Sequence, residues 1–198
     1  MSAVNLEKSS IRGRLNARSA RDLLRDRTDP VKRAAVASVL RPAEAGPEVL
    51  LIRRAEHPRD PWSGHMAFPG GRQDPEDADL LATAHRETLE EVGLDLAGAE
   101  LLGRGDDLEA IAQGKRAGLV VRPFVFWAPN AETGPMDASE VAEALWAPIV
   151  PLLRGERDTT YPYEHEGQRL RFPAYDIDGR IVWGLTHRML TALFARFR

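Results

Sequence analysis

The stretch that decides the reading runs Gly70-Gly71-Arg72-Gln73-Asp74-Pro75-Glu76-Asp77 and resumes at Arg86-Glu87-Thr88-Leu89-Glu90-Glu91-Val92-Gly93-Leu94. Paired glycines, a proline and short acidic side chains make the first half a turn-rich loop. From Leu80 to Val92 the apolar residues recur at helical spacing. Asp77 or Asp79 is the expected cap of that helix, and Gly93 stands where a helix ends. On it, Glu90 lies about 60° to one side of Glu87 and Glu91 about 40° to the other, within about 6 Å along the axis. Three carboxylates thus share one face. Glu87 and Glu91 are like charges at i, i+4, which costs roughly a few tenths of a kcal/mol unless a cation intervenes. Mg²⁺ or Mn²⁺ takes carboxylate oxygens and keeps positions open for phosphate oxygens. A solvated acidic face is the ordinary alternative. Against it, the joint occurrence of Gly71, Arg86, Glu87, Glu90, Glu91 and Gly93 has a chance on the order of 10⁻⁷ per window at average residue usage.

Outward from this loop and helix, Ala34–Leu40 and Glu48–Arg53 read as a strand pair joined by the turn-rich 42–47 segment. Residues 60–71 read as an irregular loop. Further strands are expected at 100–105, 119–127 and 141–147. Two more, at 170–177 and 180–183, flank the hairpin signal Asp178-Gly179. Thr186 is the expected cap of a last helix with Met189, Leu190, Leu193, Phe194 and Phe197 as its apolar stripe. Near the start, Ile11, Leu15, Leu23 and Leu24 suggest an amphipathic helix that Asp29-Pro30 would stop. Strands interspersed with helices imply an α/β or α+β layered domain. The division expected is an N-terminal helical extension over 1–30 and one domain over 31–198.

Composition narrows the function classes. The 198 residues are 43% hydrophobic and 29% charged, a globular mix. A net charge of −3 argues against gripping nucleic acid through its phosphates. The absence of cysteine excludes disulfide scaffolds, thiol nucleophiles and zinc–thiolate sites. No apolar run approaches the roughly 18 residues of a membrane helix, and residues 1–30 lack the apolar stretch of a secretory signal. The expected setting is therefore cytoplasmic, with no nucleic-acid or membrane partner. The N-terminal helix can pack on the domain or on a second subunit, so a homodimer is among the expectations.

The glycine loop and acidic helix resemble the Nudix box, G-x5-E-x7-R-E-U-x-E-E-x-G-U, where U is apolar. Gly71, Arg86, Glu87, Glu90, Glu91, Gly93 and Leu94 match it. Asp77 stands where the family has Glu, one extra residue separates it from Arg86, and Thr88 replaces an apolar residue. The resemblance implies an α/β/α sandwich around a mixed β-sheet, here with an additional N-terminal helix. It also implies a divalent-metal-dependent hydrolase of nucleoside diphosphate derivatives. Leu50-Leu51-Ile52-Arg53-Arg54, Arg59, Gly64 and Phe68-Pro69-Gly70-Gly71 are similar to the coenzyme A diphosphatase branch. So are Asp74-Pro75 and Trp183-Gly184-Leu185-Thr186. Ile52 and Ala55 depart from the branch pattern, as does one extra residue between Arg59 and Gly64.

By that resemblance the substrate is coenzyme A or acyl-CoA, cleaved to 3′,5′-ADP and (acyl-)4′-phosphopantetheine. Alternatives are another nucleoside diphosphate derivative (ADP-ribose, a nucleotide sugar, a dinucleotide or an NTP) and a nucleotide sensor without catalysis. Glu87 and Glu91 are the first choice as ligands of Mg²⁺ or Mn²⁺, and Glu90 is a third ligand or the base that orients water. Arg86 pairs with Asp77 or a metal-bound Glu. Gly70 and Gly71 let the backbone approach the phosphates, and Arg54 and Arg59 are candidates to bind the diphosphate bridge or the 3′-phosphate. Trp62 has two readings, stacking or packing. Glu140 precedes a strand end where this family can place a further carboxylate, although exposure is the ordinary fate of a glutamate. Of the five histidines, His65 alone lies in the expected active-site loop.

Overall fold

Residues 34–40 are buried without a break, the mark of a strand covered on both faces. The computed structural model of the protein describes residues 6–25, 27–58, 62–112, 115–165 and 167–197. In chain order the elements are α1 (Lys8–Asn16), β1 (Lys32–Arg41), β2 (Glu48–Arg54), β3 (Met66–Ala67), β4 (Gly70–Arg72) and α2 (Leu80–Val92). They continue with β5 (Glu100–Arg104), β6 (Leu108–Ala112), β7 (Lys115–Trp127), β8 (Val141–Pro148) and α3 (Ile149–Leu153). Last come β9 (Asp158–His165), β10 (Gln168–Ile177), β11 (Arg180–Val182) and α4 (Gly184–Phe197).

β1 is the centre of a mixed eight-stranded sheet. On one side it runs parallel to β7, from Lys32↔Leu119 to Leu40↔Trp127. On the other it is antiparallel first to β4, at Ala34↔Arg72 through Val36↔Gly70, and then to β2, at Leu40↔Val49. The expected β1–β2 pair exists, but it meets only at the hairpin end because the glycine strand occupies the rest of that edge. Side chains alternate between two cores. Ala35, Ala37 and Val39 face Leu80, Ala84 and Val92 around α2. Ala34, Val36 and Leu40 face a cluster holding Ile11 and Leu15 of α1 and Leu190 and Phe197 of α4. The fold is thus the expected mixed sheet between helical layers. A small antiparallel sheet, β11-β10-β9, adjoins it. No helix among the described residues is long and apolar enough to cross a membrane.

Several local expectations need correction. α1 ends at Asn16, so Leu23 and Leu24 lie outside it. The Asp22 carboxylate accepts from the N–H groups of Leu24 and Arg25 and holds that segment as a turn. α4 begins at Gly184, which places Thr186 inside its first turn rather than at its cap. Residues 66–67 and 70–72 form short strands within the expected loop. β6 and β9 were not anticipated. Pro162 within β9 argues against a strand, yet β9 is an edge strand, the place where proline is tolerated.

Candidate active site

The site begins with two glycines laid against the central strand. Gly70 has φ 145° and sits so close to β1 that a Cβ would lie 2.6 Å from the Val36 Cα. Only glycine fits there. A Cβ on Gly71 would stand 2.5 Å from the Glu87 Cδ, so the second glycine makes room for a carboxylate. Both glycines line the cavity that follows. Both carry one expectation, a close approach of the backbone to the phosphates; the structure gives them separate neighbours, β1 for Gly70 and Glu87 for Gly71.

α2 is fixed at both ends. The Asp79 carboxylate accepts from the Ala82 N–H, and Gly93 closes the helix at φ 63°. Of the two candidate caps, Asp79 is therefore the cap. Asp77 serves elsewhere: it accepts from Arg86 Nε at 3.0 Å and Nη2 at 2.9 Å, and from Thr83 Oγ1 at 2.9 Å. The Arg86 guanidinium holds this carboxyl well below the usual range. Arg86 also reaches Glu87 at 3.0 Å, Glu90 at 2.9 Å and the Arg72 carbonyl at 3.2 Å. One guanidinium thus ties the glycine loop to the acidic helix. Asp in place of the family's Glu, with an extra residue before Arg86, still makes this two-pronged pair.

Glu91 is 2% exposed and accepts from the Gly70 N–H at 2.8 Å. Burial pushes its carboxyl up to about 8; the Gly70 hydrogen bond and Arg54 oppose the shift, and Glu87 and Glu140 add to it. Burial also raises Glu87, against the pull of Arg86. Glu140 comes from a distant turn that the backbone fastens to this helix. The Asp137 N–H donates to the Glu91 carbonyl, the Glu140 N–H to the Asp137 carbonyl, and the Ala55 N–H to the Glu140 carbonyl. As a result, carboxylate oxygens of Glu87, Glu91 and Glu140 lie within 4.8 Å of one another. Like charges held this close repel one another, and at buried Glu91 that repulsion adds to the cost of ionisation. A hard divalent cation matches this all-oxygen set and would relieve the repulsion.

These carboxylates line a cavity of about 610 Å³ together with Arg54, Trp62, His65, Trp183 and Met189. Glu90 lies outside the cluster, its side chain 57% exposed and paired with Arg86. Arg59 falls outside the described residues. Trp62 packs against the apolar core at the cavity wall, and the His65 ring meets Trp183 edge-on at 4.9 Å. Glu140 is the residue whose place the sequence signalled least, since no local spacing links it to a helix about 50 positions earlier.

The family model for the NUDIX domain matches residues 31–163. The chain belongs to the NUDIX family. A relative from Yersinia enterocolitica, named uncharacterized Nudix hydrolase NudL, is 33% identical over 159 residues, 79% of this chain and 78% of that protein. An uncharacterized protein of Schizosaccharomyces pombe is 41% identical over 121 residues, 60% of this chain; the match spans only 37% of that protein's length. Among solved structures, the crystal structure of a NUDIX hydrolase from Alicyclobacillus acidocaldarius is similar in fold. Its TM-score is 0.54 at 22% identity, covering 85% of this chain and 93% of that one. The Nudix box is the glycine loop and acidic helix described above.

Proposed function

We propose that this Nudix chain is a divalent-metal-dependent hydrolase of phosphoric anhydrides. Its substrate in this reading is coenzyme A or acyl-CoA, cleaved at the diphosphate bridge to 3′,5′-ADP and (acyl-)4′-phosphopantetheine. The observation that carries the reading is the convergence of Glu87, Glu91 and Glu140 in the lining of the cavity. The coenzyme A assignment is supported by the likeness of Leu50–Arg54, Phe68–Gly71 and Trp183–Thr186 to the coenzyme A diphosphatase branch.

Glu87, Glu91 and Glu140 would hold Mg²⁺ or Mn²⁺. When bound, the cation supplies charge neutralisation at the diphosphate oxygens and makes an attacking water more acidic. The chain's own residues do the positioning. Arg86 holds Glu87 and Glu90 in place from the outside of the helix. Glu90, outside this ligand set and paired with Arg86, keeps the reading of the base that orients water. Gly70 and Gly71 open a close approach along β1, and Arg54 lines the cavity as a positive partner for bridge oxygens. The apolar wall shields the reacting bond from bulk water.

The test is to incubate the purified chain with coenzyme A and Mn²⁺ and identify the products by mass. 3′,5′-ADP is expected, and Glu91→Gln is expected to lower turnover by about 10²–10³-fold. Much faster cleavage of ADP-ribose, a nucleotide sugar or an NTP would remove coenzyme A and leave the hydrolase. Nucleotide binding without turnover, unchanged in Glu91→Gln, would instead establish a sensor.

A further inference from the structure

β2 ends in two consecutive arginines, and consecutive strand residues point to opposite faces. A register shift against β8 falls between Arg53 and Arg54. Arg54 lines the cavity with the carboxylates, while Arg53 lines a separate groove of about 530 Å³. The two spaces share His65, Met66 and Trp183, so the groove adjoins the cavity.

Arg180 of β11 enters the same groove. Its Nε donates to Glu143 Oε1 at 2.8 Å, its Nη2 bonds the same oxygen, and its Nη1 donates to the Asp178 carbonyl at 3.2 Å. Arg53 Nε stands farther from the same carboxylate, 3.5 Å from Glu143 Oε2. The Arg180 hydrogen bond keeps Glu143 ionised by lowering its carboxyl. The Asp178 carboxylate, 71% exposed, is paired with Arg157 at 3.0 Å. Two guanidiniums therefore share one carboxylate. Asp178 also lines the groove and its carboxylate acts on Arg180; with its partner Arg157 counted, three guanidiniums face two acids, and Arg53, 3.5 Å from Glu143, is the least neutralised of them. Tyr161 and Trp183, their rings 4.2 Å apart and 17° from parallel, wall the groove. Fixed donors beside a flat aromatic surface suit a phosphorylated ribose that carries a base.

We propose that Arg53 and Arg180 bind the phosphomonoester on the nucleotide half of the substrate, the 3′-phosphate that coenzyme A has and dephospho-coenzyme A lacks. Glu143 is then a positioning residue that aims both guanidiniums. This rests on the coenzyme A reading and leaves Arg54 to the bridge. A phosphomonoester near −2 in charge gains from both arginines at once, whereas a substrate without it gains from neither.

The experiment compares kcat/KM on coenzyme A with kcat/KM on dephospho-coenzyme A, in the intact chain with Mn²⁺. Wild type is expected to favour coenzyme A by about 10–100-fold, the worth of one or two charge-assisted hydrogen bonds. Arg53→Gln is expected to cut that preference about tenfold, chiefly through KM. Because Arg53 lies 3.5 Å from Glu143, this variant leaves the Arg180–Glu143 pair standing. Arg180→Lys, which keeps the charge and loses the fork, should lower the preference as well. A second readout needs no turnover: calorimetry on metal-free protein should find 3′,5′-ADP bound more tightly than AMP, and the margin should shrink in Arg53→Gln. Should wild type treat both substrates alike, or both variants keep the full preference, the groove assignment falls while coenzyme A hydrolysis stands. Should neither substrate be cleaved while another nucleoside diphosphate is, the coenzyme A reading falls and the groove assignment with it.

Discussion

Glu91 concentrates the conflict in this site: a carboxylate almost without solvent, close to two others, with one backbone N–H and a distant arginine in its favour. Its folded pKa, about 8, lies above the ordinary value of 4.5. Between those values the folded chain holds a proton that the unfolded chain has released. Stability of the metal-free protein therefore falls as pH rises through this window, by roughly 1 kcal/mol per pH unit. Melting of metal-free protein in steps from pH 5 to 8 should show wild type losing about 2–4 °C per unit relative to Glu91→Gln. The comparison with the variant cancels His187, whose lowered pKa works in the opposite direction below its ordinary 6.5. Parallel curves for the two proteins would refute the assigned burial cost. Helical spacing alone put Glu87 and Glu91 on one face. It was silent about Glu140, because that residue reaches the cluster through main-chain bonds from Asp137 and Ala55 that no side-chain pattern encodes.

At the scale of elements, the clasp between Asp77 and Arg86 joins the glycine loop to the acidic helix. Asp77, with 6% of its side chain exposed, also accepts from Thr83 and from the Asp74 N–H. Asp77→Asn keeps the shape and removes the charge that Arg86 needs. The expected cost is about 2 kcal/mol of stability, discounted for the partial exposure of Arg86. Mn²⁺ affinity should weaken too, because Arg86 also holds Glu87. Thermal melting and metal titration of the one variant check both effects; unchanged metal affinity would separate the clasp from the site. The helix and its glycine stop were legible from period and cap chemistry, as were the central strands from their apolar runs. β9 was not: Thr159, Tyr161 and Tyr163 keep a strand's alternation, but Pro162 between them reads as a break. The turn at Asp22 resembled a helix continuation because Leu23 and Leu24 lie among polar residues as Ile11 and Leu15 do, although on a helix Leu24 would fall about 180° from Leu15.

For the whole molecule, the N-terminal segment is fastened by charge as much as by packing. Arg196, its side chain 2% exposed, donates to the carbonyls of Leu15 at 3.0 Å and Arg18 at 3.1 Å, and to Asp106 at 2.6 Å. Asp107, fully buried, takes Arg104 and Arg122, which also hold Asp22. Arg196→Met fills the space but leaves the carbonyls unpaired and takes one partner from Asp106, which keeps the Arg21 N–H and Arg18, for an expected loss of about 3 kcal/mol. Trypsin should then cut after Arg18, Arg21 or Arg25 well before the domain is attacked; equal resistance in wild type and variant would show the segment to be held by Ile11 and Leu15 alone. The pairing of β1 carries a different consequence. Lys32 meets Leu119, 87 positions later. A ribosome must therefore release most of the chain before this ribbon, buried from residue 34 to 40, finds its parallel neighbour. Until then its open hydrogen-bonding edge is a template for the same ribbon in another nascent copy, which makes slow translation between the two strands a hazard for yield rather than for chemistry.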